Sequence, residues 1–184
     1  MKMLFDGEET LCKLSVILSL IRDVKAKAIN TLFKLEAVDV FDNDENEYIF
    51  KSIGYDKSGE IIQQFLKRIK DINQTYTKEQ STLAHAAALA QNLNAAKILL
   101  ANGADFTIRD RNSLLPIEYF FATTSGKFDI NFFKFLYDTI PPKFLDNNQE
   151  YGRSSARTMV LTILQSHNLP WYQPLQNGVH SREE

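Results

Sequence analysis

The side chains of this chain that could carry out catalysis are few and widely spaced. Its single cysteine is Cys12, and its three histidines are His85, His167 and His180. A thiol enzyme working through Cys12 needs a histidine beside the sulfur, and the sequence gives no reason for any of the three to lie there. We interpret Cys12 as a small buried hydrophobe, a common environment for free cysteine. A hydrolase acting through Cys12 is the enzymatic alternative.

The acidic segment at residues 39–47 (DVFDNDENE) is the best candidate for a cation site in the sequence. A calcium loop starting at Asp42 requires glycine at its sixth position. That position is Glu47, so we predict a solvated hairpin tip instead. The sequence also has no H-E-x-x-H, paired-cysteine or glycine-rich phosphate-loop motif. We therefore expect no metal, no cofactor and no enzymatic activity.

Composition narrows the possible partners. The net charge is −2 and the isoelectric point is near 6.0, whereas nucleic-acid-binding domains are usually strongly basic. The apolar run at residues 14–21 (LSVILSLI) follows acidic residues and has eight positions, which is too short to span a bilayer and unlike a secretory signal. We expect a cytoplasmic or otherwise intracellular protein with no nucleic-acid partner and no membrane insertion.

Apolar residues recur along the chain with a 33-residue period. Three series show this spacing: Phe33, Leu66 and Leu99; Leu32, Phe65 and Ile98; Ile29, Ile62 and Ala95. Asp44 and Asp110 are two periods apart, and the KDIN segment at residues 70–73 places its Asp one residue early, as if that loop had gained a residue. No gap is needed in the helical part of the blocks to align them at this spacing. A period of this length predicts a stack of similar structural units.

The third block, at residues 82–110, gives the clearest pattern. We predict a short alanine-rich helix at residues 82–90, a turn at residues 92–94 and a second helix at residues 95–101. Gly103 then supplies a left-handed residue that ends the helix at little cost. Residues 105–110 (DFTIRD) read as extended. Since a two-turn helix buries little by itself, small side chains let neighbouring copies lie close together.

The third block resembles the ankyrin repeat, which has about 33 residues, a turn, two helices and a Thr-Pro-Leu-His-x-Ala signature. Thr82, His85, Ala87 and Ala88 match the signature, whereas Leu83 and Ala84 replace its Pro and Leu; in the fourth block Pro116 and Ile117 match, and Glu118 replaces the His. The resemblance implies structural roles for His85, Gly103, Asp105, Asp110 and Pro116. It also implies that the ring of His85 hydrogen-bonds backbone around the neighbouring turn.

The resemblance covers residues 14–140 and is weaker in the first two blocks. In the fourth block the second helix, at residues 132–138, comes about four residues late, so residues 123–130 contain an insertion. We therefore expect an all-α fold. Residues 1–146 would form an ankyrin-type solenoid of about four helix pairs with short β-hairpin or turn tips, and the first repeat would act as an N-terminal cap.

The C-terminal part departs from the repeat pattern. Residues 154–165 predict an amphipathic helix with Met159, Val160, Ile163 and Leu164 on one side. We expect residues 147–175 to cover the apolar end of the stack with this helix and a Trp/Pro segment. Trp171 either packs on that helix or belongs to a peptide motif offered to a partner. Residues 176–184 have the polarity of a flexible tail.

The resemblance implies that a partner protein binds the concave face formed by the tips and first helices. The residues it places there are Asn43, Glu45, Asn46 and Tyr48 in the first tip, Tyr76, Lys78, Glu79 and Ser81 in the second, Arg109, Arg111, Asn112 and Leu114 in the third, and Leu89 and Ala90 on a first helix. Charge changes along this row from acidic to basic. We therefore expect a partner of opposite polarity and salt-sensitive association.

These features predict a non-enzymatic protein-protein interaction module, such as a scaffold or adaptor. One alternative is a targeting or regulatory subunit of an enzyme carried on another chain. Another is an effector that an intracellular bacterium delivers into a host cell. Ankyrin-like proteins occur in such bacteria, and the chain is rich in Lys, Asn, Ile and Phe, as AT-biased genomes tend to encode.

Overall fold

The computed structural model describes residues 19–20, 27, 46–122, 129–141, 144 and 162–166. Six helices have defined bounds in these ranges: α1 (Asn46–Tyr55), α2 (Glu60–Leu66), α3 (Leu83–Leu89), α4 (Leu93–Ala101), α5 (Pro116–Ala122) and α6 (Ile130–Thr139). The same ranges contain no strand. The predicted all-α class is confirmed for them, and the β-hairpin part of the prediction is not.

The helices are arranged as three consecutive pairs. Helix α1 contacts α2, α3 contacts α4, and α5 contacts α6. The first helices of the pairs also contact one another, because α3 packs against both α1 and α5, and α4 contacts α6. Each pair therefore packs against the pair that follows it in the chain.

Helix α3 lies at the centre of this arrangement and consists mostly of small residues. The six residues from Leu83 to Ala88 are each at most 3% exposed, since α1, α4 and α5 all contact this helix. Alanine side chains let three helices approach one short helix closely, as the alanine-rich sequence predicts.

The second helices of the three pairs bury the same pattern of residues, at positions i, i+1 and i+4. The buried triads are Ile61, Ile62 and Phe65 in α2, Ala95, Ala96 and Leu99 in α4, and Phe132, Phe133 and Leu136 in α6. No member is more than 1% exposed. Equivalent residues are 34 positions apart between α2 and α4 and 37 apart between α4 and α6. The second value agrees with the predicted insertion of about four residues.

The spacing of 34 corrects the alignment of the second block. Phe65, and not Leu66, occupies the position of Leu99, and Leu66 is only half-buried. The prediction that the helices need no gap was wrong. One residue turns an α-helix by about 100°, so a shift of one position exchanges a buried residue for its neighbour.

The loop after α2 returns the chain to the 33-residue spacing. Asp105 follows Asp71 by 34 positions, and each carboxylate accepts the backbone N–H two residues later, at 2.9 Å from Asn73 and 2.7 Å from Thr107. Six residues after Asp71, Thr77 lies 33 positions before Asp110. The second block therefore has one additional residue between these points, in agreement with the sequence prediction for its KDIN loop.

The helix ends follow from residues with defined conformational preferences. Gly103, at φ +88°, ends α4: its N–H donates to Leu100 O and the N–H of Ala104 donates to Leu99 O, both at 3.0 Å, which is a Schellman motif. Pro116 is the first residue of α5, where its missing N–H is not needed. Helix α4 begins two residues earlier than predicted, at Leu93.

The early start of α4 results from Asn92, which joins two helix pairs. Its Oδ1 accepts the N–H of Ala95 at 3.1 Å, while its Nδ2 donates to Ile53 O at 2.7 Å and Asp56 O at 2.9 Å. Asn92 is 2% exposed, so all three bonds are shielded from water. Lys57 Nζ adds a 2.8 Å bond to Ala90 O. These contacts hold the end of α1 against the start of α4.

Several predicted features lie wholly or largely outside the described residues. These are most of the first repeat, Asn43 and Glu45 of the first tip, residues 154–161 of the capping helix, the Trp171 segment and the tail. The end of the capping segment is described: residues 162–166 are helical, and Leu164 belongs to the buried core at 0% exposure. Ile163 is partly buried against that core.

Candidate protein-binding surface

Two turns between the helix pairs share the conformation of their four central residues, 77–80 and 110–113. We call residues 76–81 the second turn and residues 109–114 the third turn. Gln80 N–H donates to Thr77 O, and Ser113 N–H donates to Asp110 O, each at 2.9 Å. Gln80 and Ser113, which are one period apart in the sequence, have φ values of 58° and 62°. The 33-residue period therefore corresponds to a repeated turn conformation.

A backbone hydrogen bond joins the two turns directly. Arg111 N–H donates to Glu79 O at 2.7 Å. Side chains reinforce the junction: Tyr119 OH donates to Asp110 Oδ2 at 2.7 Å and lies 2.8 Å from Ser81 Oγ. Burial, together with the neighbouring Asp110 carboxylate, raises the pKa of Tyr119 to about 12. The exposed ends of the turns are thereby held side by side.

Asp110 organises the third turn from within. It is 6% exposed, and its Oδ1 accepts the N–H groups of Asn112 and Leu114, both at 2.8 Å. Together with the bond from Tyr119, these contacts occupy both carboxylate oxygens. Asp110 is therefore part of the turn's internal structure.

His85 connects α3 to the third turn. Its Nδ1 accepts the N–H of Thr82 at 3.1 Å and lies 2.9 Å from Thr82 Oγ1, and its Nε2 is 3.0 Å from Leu114 O. Since a backbone N–H can only donate and a carbonyl can only accept, we assign the neutral tautomer with the proton on Nε2. The ring also makes an edge contact with Tyr119, at 4.8 Å between centroids. We call this group of contacts the His85 junction.

Arg109 braces the third turn and is a poor candidate for a partner contact. Its Nη1 donates to Ser113 O at 2.6 Å, and its Nη2 donates to Phe144 O at 3.2 Å. The guanidinium also lies 3.8 Å from Glu118 Oε2. Its side chain is 32% exposed, so the prediction of a surface contact applies only to part of it.

The predicted contact residues divide into exposed and buried groups. Lys78, Glu79, Arg111 and Asn112 are exposed, and we call these four residues the turn surface. Leu89 is 38% exposed, whereas Ala90 and Leu114 are half-buried. Sequence analysis missed Gln80 and Ser113, which are also exposed; the 33-residue register could have identified the pair.

Two predicted contacts are buried, which corrects the sequence analysis. Tyr76 is 8% exposed and Ser81 is 2% exposed. Burial raises the pKa of Tyr76 to about 12, and Ser81 Oγ bonds with Tyr119 inside the junction. Both side chains point into the fold because the turn must be anchored on the helices behind it. They are unavailable to a partner.

The first tip also differs from the prediction. Asn46 and Tyr48 lie in the first turn of α1, not in a loop. The 33-residue register would begin this helix at Phe50, but residues 46–49 (NEYI) contain no glycine or proline to stop it. The helix therefore starts four residues early.

The described ranges offer no evidence for two other kinds of site. In them, no three His, Cys, Asp or Glu residues are grouped so as to hold a metal ion. None of the described helices has the length and apolarity required to cross a membrane. No known family model matches the chain, and no curated protein matches its sequence.

Proposed function

We propose that this chain is an ankyrin-type stack of helix pairs that binds a partner protein, without catalysis, through the turn surface. The observation that carries this proposal is the repetition of one turn conformation at residues 77–80 and 110–113, with the two turns joined by the Arg111–Glu79 hydrogen bond. Such a row presents side chains at a regular spacing on a rigid support, which is how stacked repeats bind macromolecules.

The charges of the turn surface indicate the chemistry of the partner. Lys78 and Arg111 occupy equivalent positions on adjacent turns, one period apart in the sequence, and both are exposed. Two cations outweigh the single anion, Glu79, so the surface favours acidic groups. Attraction between these exposed cations and acidic groups of a partner increases the association rate and makes it sensitive to salt. Leu89, at the end of α3, offers an apolar contact.

Charge reversal of the turn surface tests the proposal. Tagged wild-type chain, the Lys78→Glu/Arg111→Glu double variant and a Lys97→Glu control would be used to capture proteins from a lysate of cells that express the chain. Lys97 is exposed on α4, away from the turns. Arg109 is left unchanged, since its bonds to Ser113 and Phe144 make it structural. Circular dichroism would establish that all variants are folded.

We expect one or more proteins to be captured by wild type and by Lys97→Glu. The double variant should capture at least tenfold less of the same proteins. Capture that is equal for all three chains would refute the turn surface as the binding site. For any partner that is captured, native mass spectrometry of the complex would show whether that partner is an enzyme that holds the chain as a stable subunit.

A further inference from the structure

His85 is fully buried, and one of its ring nitrogens accepts a hydrogen bond while the other donates one. Nδ1 accepts from the backbone of Thr82, and Nε2 donates to the carbonyl of Leu114. Both His85 and Thr82 are at most 1% exposed, so water cannot replace either bond while the junction is closed. One ring thus fixes the position of the third turn relative to the start of α3.

A second proton on this ring is incompatible with the closed junction. Protonation at Nδ1 would set its N–H against the N–H of Thr82, and a buried donor without an acceptor is costly. The Thr82 hydroxyl can rotate to accept the new proton, but the backbone N–H has no such freedom. The closed junction therefore selects the neutral ring.

The surrounding charges only partly offset this selection. The third turn contributes the Asp110 carboxylate, whose oxygens already accept four hydrogen bonds. Helix α5 contributes the Tyr119 edge and Glu118, which accepts the N–H of Leu115. The only charged residue of α4, Lys97, is exposed, and the charged side chains of α1 lie outside the described part. Burial is the largest influence and lowers the pKa of His85 below its ordinary value of 6.5, against the opposing effects of Leu114 O and Asp110.

We propose that the His85 junction is an acid-sensitive latch, in which uptake of a proton by the ring releases the third turn from α3. The sign follows from the lowered pKa. Above pH 6.5 the ring is neutral in both the closed and the open junction, and the latch is at full strength. As the pH falls below 6.5 the open form gains a proton that the closed form rejects, so opening becomes easier. The consequence for partner binding rests on the proposed function, because Arg111 and Asn112 belong to the third turn.

Amide hydrogen exchange on the intact chain tests the latch without any partner. Exchange would be followed by NMR at pH 7.5 and 5.5 and corrected for the intrinsic pH dependence of exchange. For an open-form pKa of about 6.5, the opening constant at Thr82 and Leu114 should rise by about tenfold. The amides of Ala96 and Leu99 in α4 are the internal controls and should keep their protection.

Two results would overturn the proposal. An equal increase in the opening constants of Ala96 and Leu99 would mean that acid unfolds the whole chain. Unchanged opening constants at Thr82 and Leu114 would mean that there is no latch. A His85→Gln variant should lose the pH difference at Leu114; if that variant does not fold, the wild-type measurement decides. The exchange result is independent of partner capture, so the latch and the proposed function can fail separately.

Discussion

His85 and Glu118 occupy the third position of α3 and α5 and perform the same local task with different chemistry. The Nδ1 of His85 accepts the N–H of Thr82, and the Oε2 of Glu118 accepts the N–H of Leu115, at 2.7 Å. Each side chain thereby satisfies a backbone donor that precedes the first turn of its helix. Only His85 has a second ring nitrogen, Nε2, which donates to Leu114 O in the next turn. Glu118 at the equivalent position of α5 therefore preserves the cap but lacks that link.

Gly59 is the residue at which a single methyl group should matter most. It precedes α2 at φ +82°, and a Cβ added there would collide with Cδ1 of Ile98. Because the left-handed backbone conformation opposes a side chain and Ile98 would have to shift, Gly59→Ala should lower the free energy of unfolding by about 2 kcal/mol. Urea denaturation followed by circular dichroism would measure the change.

Gly54 supplies the matched control. It lies within α1 and is exposed, and a Cβ added there would have no atom from another part of the fold within 4 Å. Gly54→Ala should therefore stabilise the protein by about 0.5 kcal/mol through helix propensity. If the two variants changed stability alike, the conformational explanation for Gly59 would be wrong.

At the scale of elements, the helices are too short to be stable alone. The six bounded helices have seven to ten residues, and isolated helices of this length are marginal in water. Their stability must come from packing and from the groups that satisfy their ends. Asp56 illustrates this: its carboxylate accepts the N–H groups of Gly59, Ile61 and Ile62 at the start of α2.

Asn92 should be the most sensitive polar residue between two helix pairs. Asn92→Ala removes the cap of α4 and leaves the carbonyls of Ile53 and Asp56 without their buried donor. We expect a loss of about 3 kcal/mol in thermal or urea denaturation. Asn94→Ala breaks one exposed bond, to Lys57 O, and should cost less than about 1 kcal/mol. A smaller effect at Asn92 than at Asn94 would contradict this assignment.

At the scale of the whole molecule, packing changes character along the chain. The α3–α4 pair is built on alanines, whereas α5 and α6 pack through aromatic rings, with Phe120 stacked on Phe132 at 5.6 Å. Phe106 makes an edge contact with Phe135 at 5.8 Å. The core therefore extends from the small residues of one pair into the aromatic residues of the next, and Leu164 joins the same core.

Leu164 tests whether the C-terminal segment completes this core. Its side chain is fully buried, whereas that of Gln165 is exposed. Leu164→Ala should destabilise the protein by about 3 kcal/mol through lost burial and a cavity. Gln165→Ala should change stability by less than about 0.5 kcal/mol. Equal and small effects in a thermal melt would show that the segment contributes little.

Features that depend on local chemistry could be predicted from the order of residue types. An alanine-rich helix at residues 82–90, a stop at Gly103 and a late second helix in the fourth block were predicted from residue type and order, and the structure contains each of them. The exposure of Lys78 and Arg111 could also be predicted, since charged residues in turns are usually solvated.

Packing between helix pairs, in contrast, determines which residue of an apolar pair is buried and which turn residues are exposed. Phe65 takes the core position predicted for Leu66 because the additional residue of the second block lies after α2, so equivalent helix residues are 34 positions apart while equivalent turn residues are 33 apart. Ser81 and Arg109 bond to Tyr119 and Phe144, which are far away in sequence, and Tyr76 is buried in the core. Such contacts depend on the packing of separate helix pairs, which no local pattern encodes.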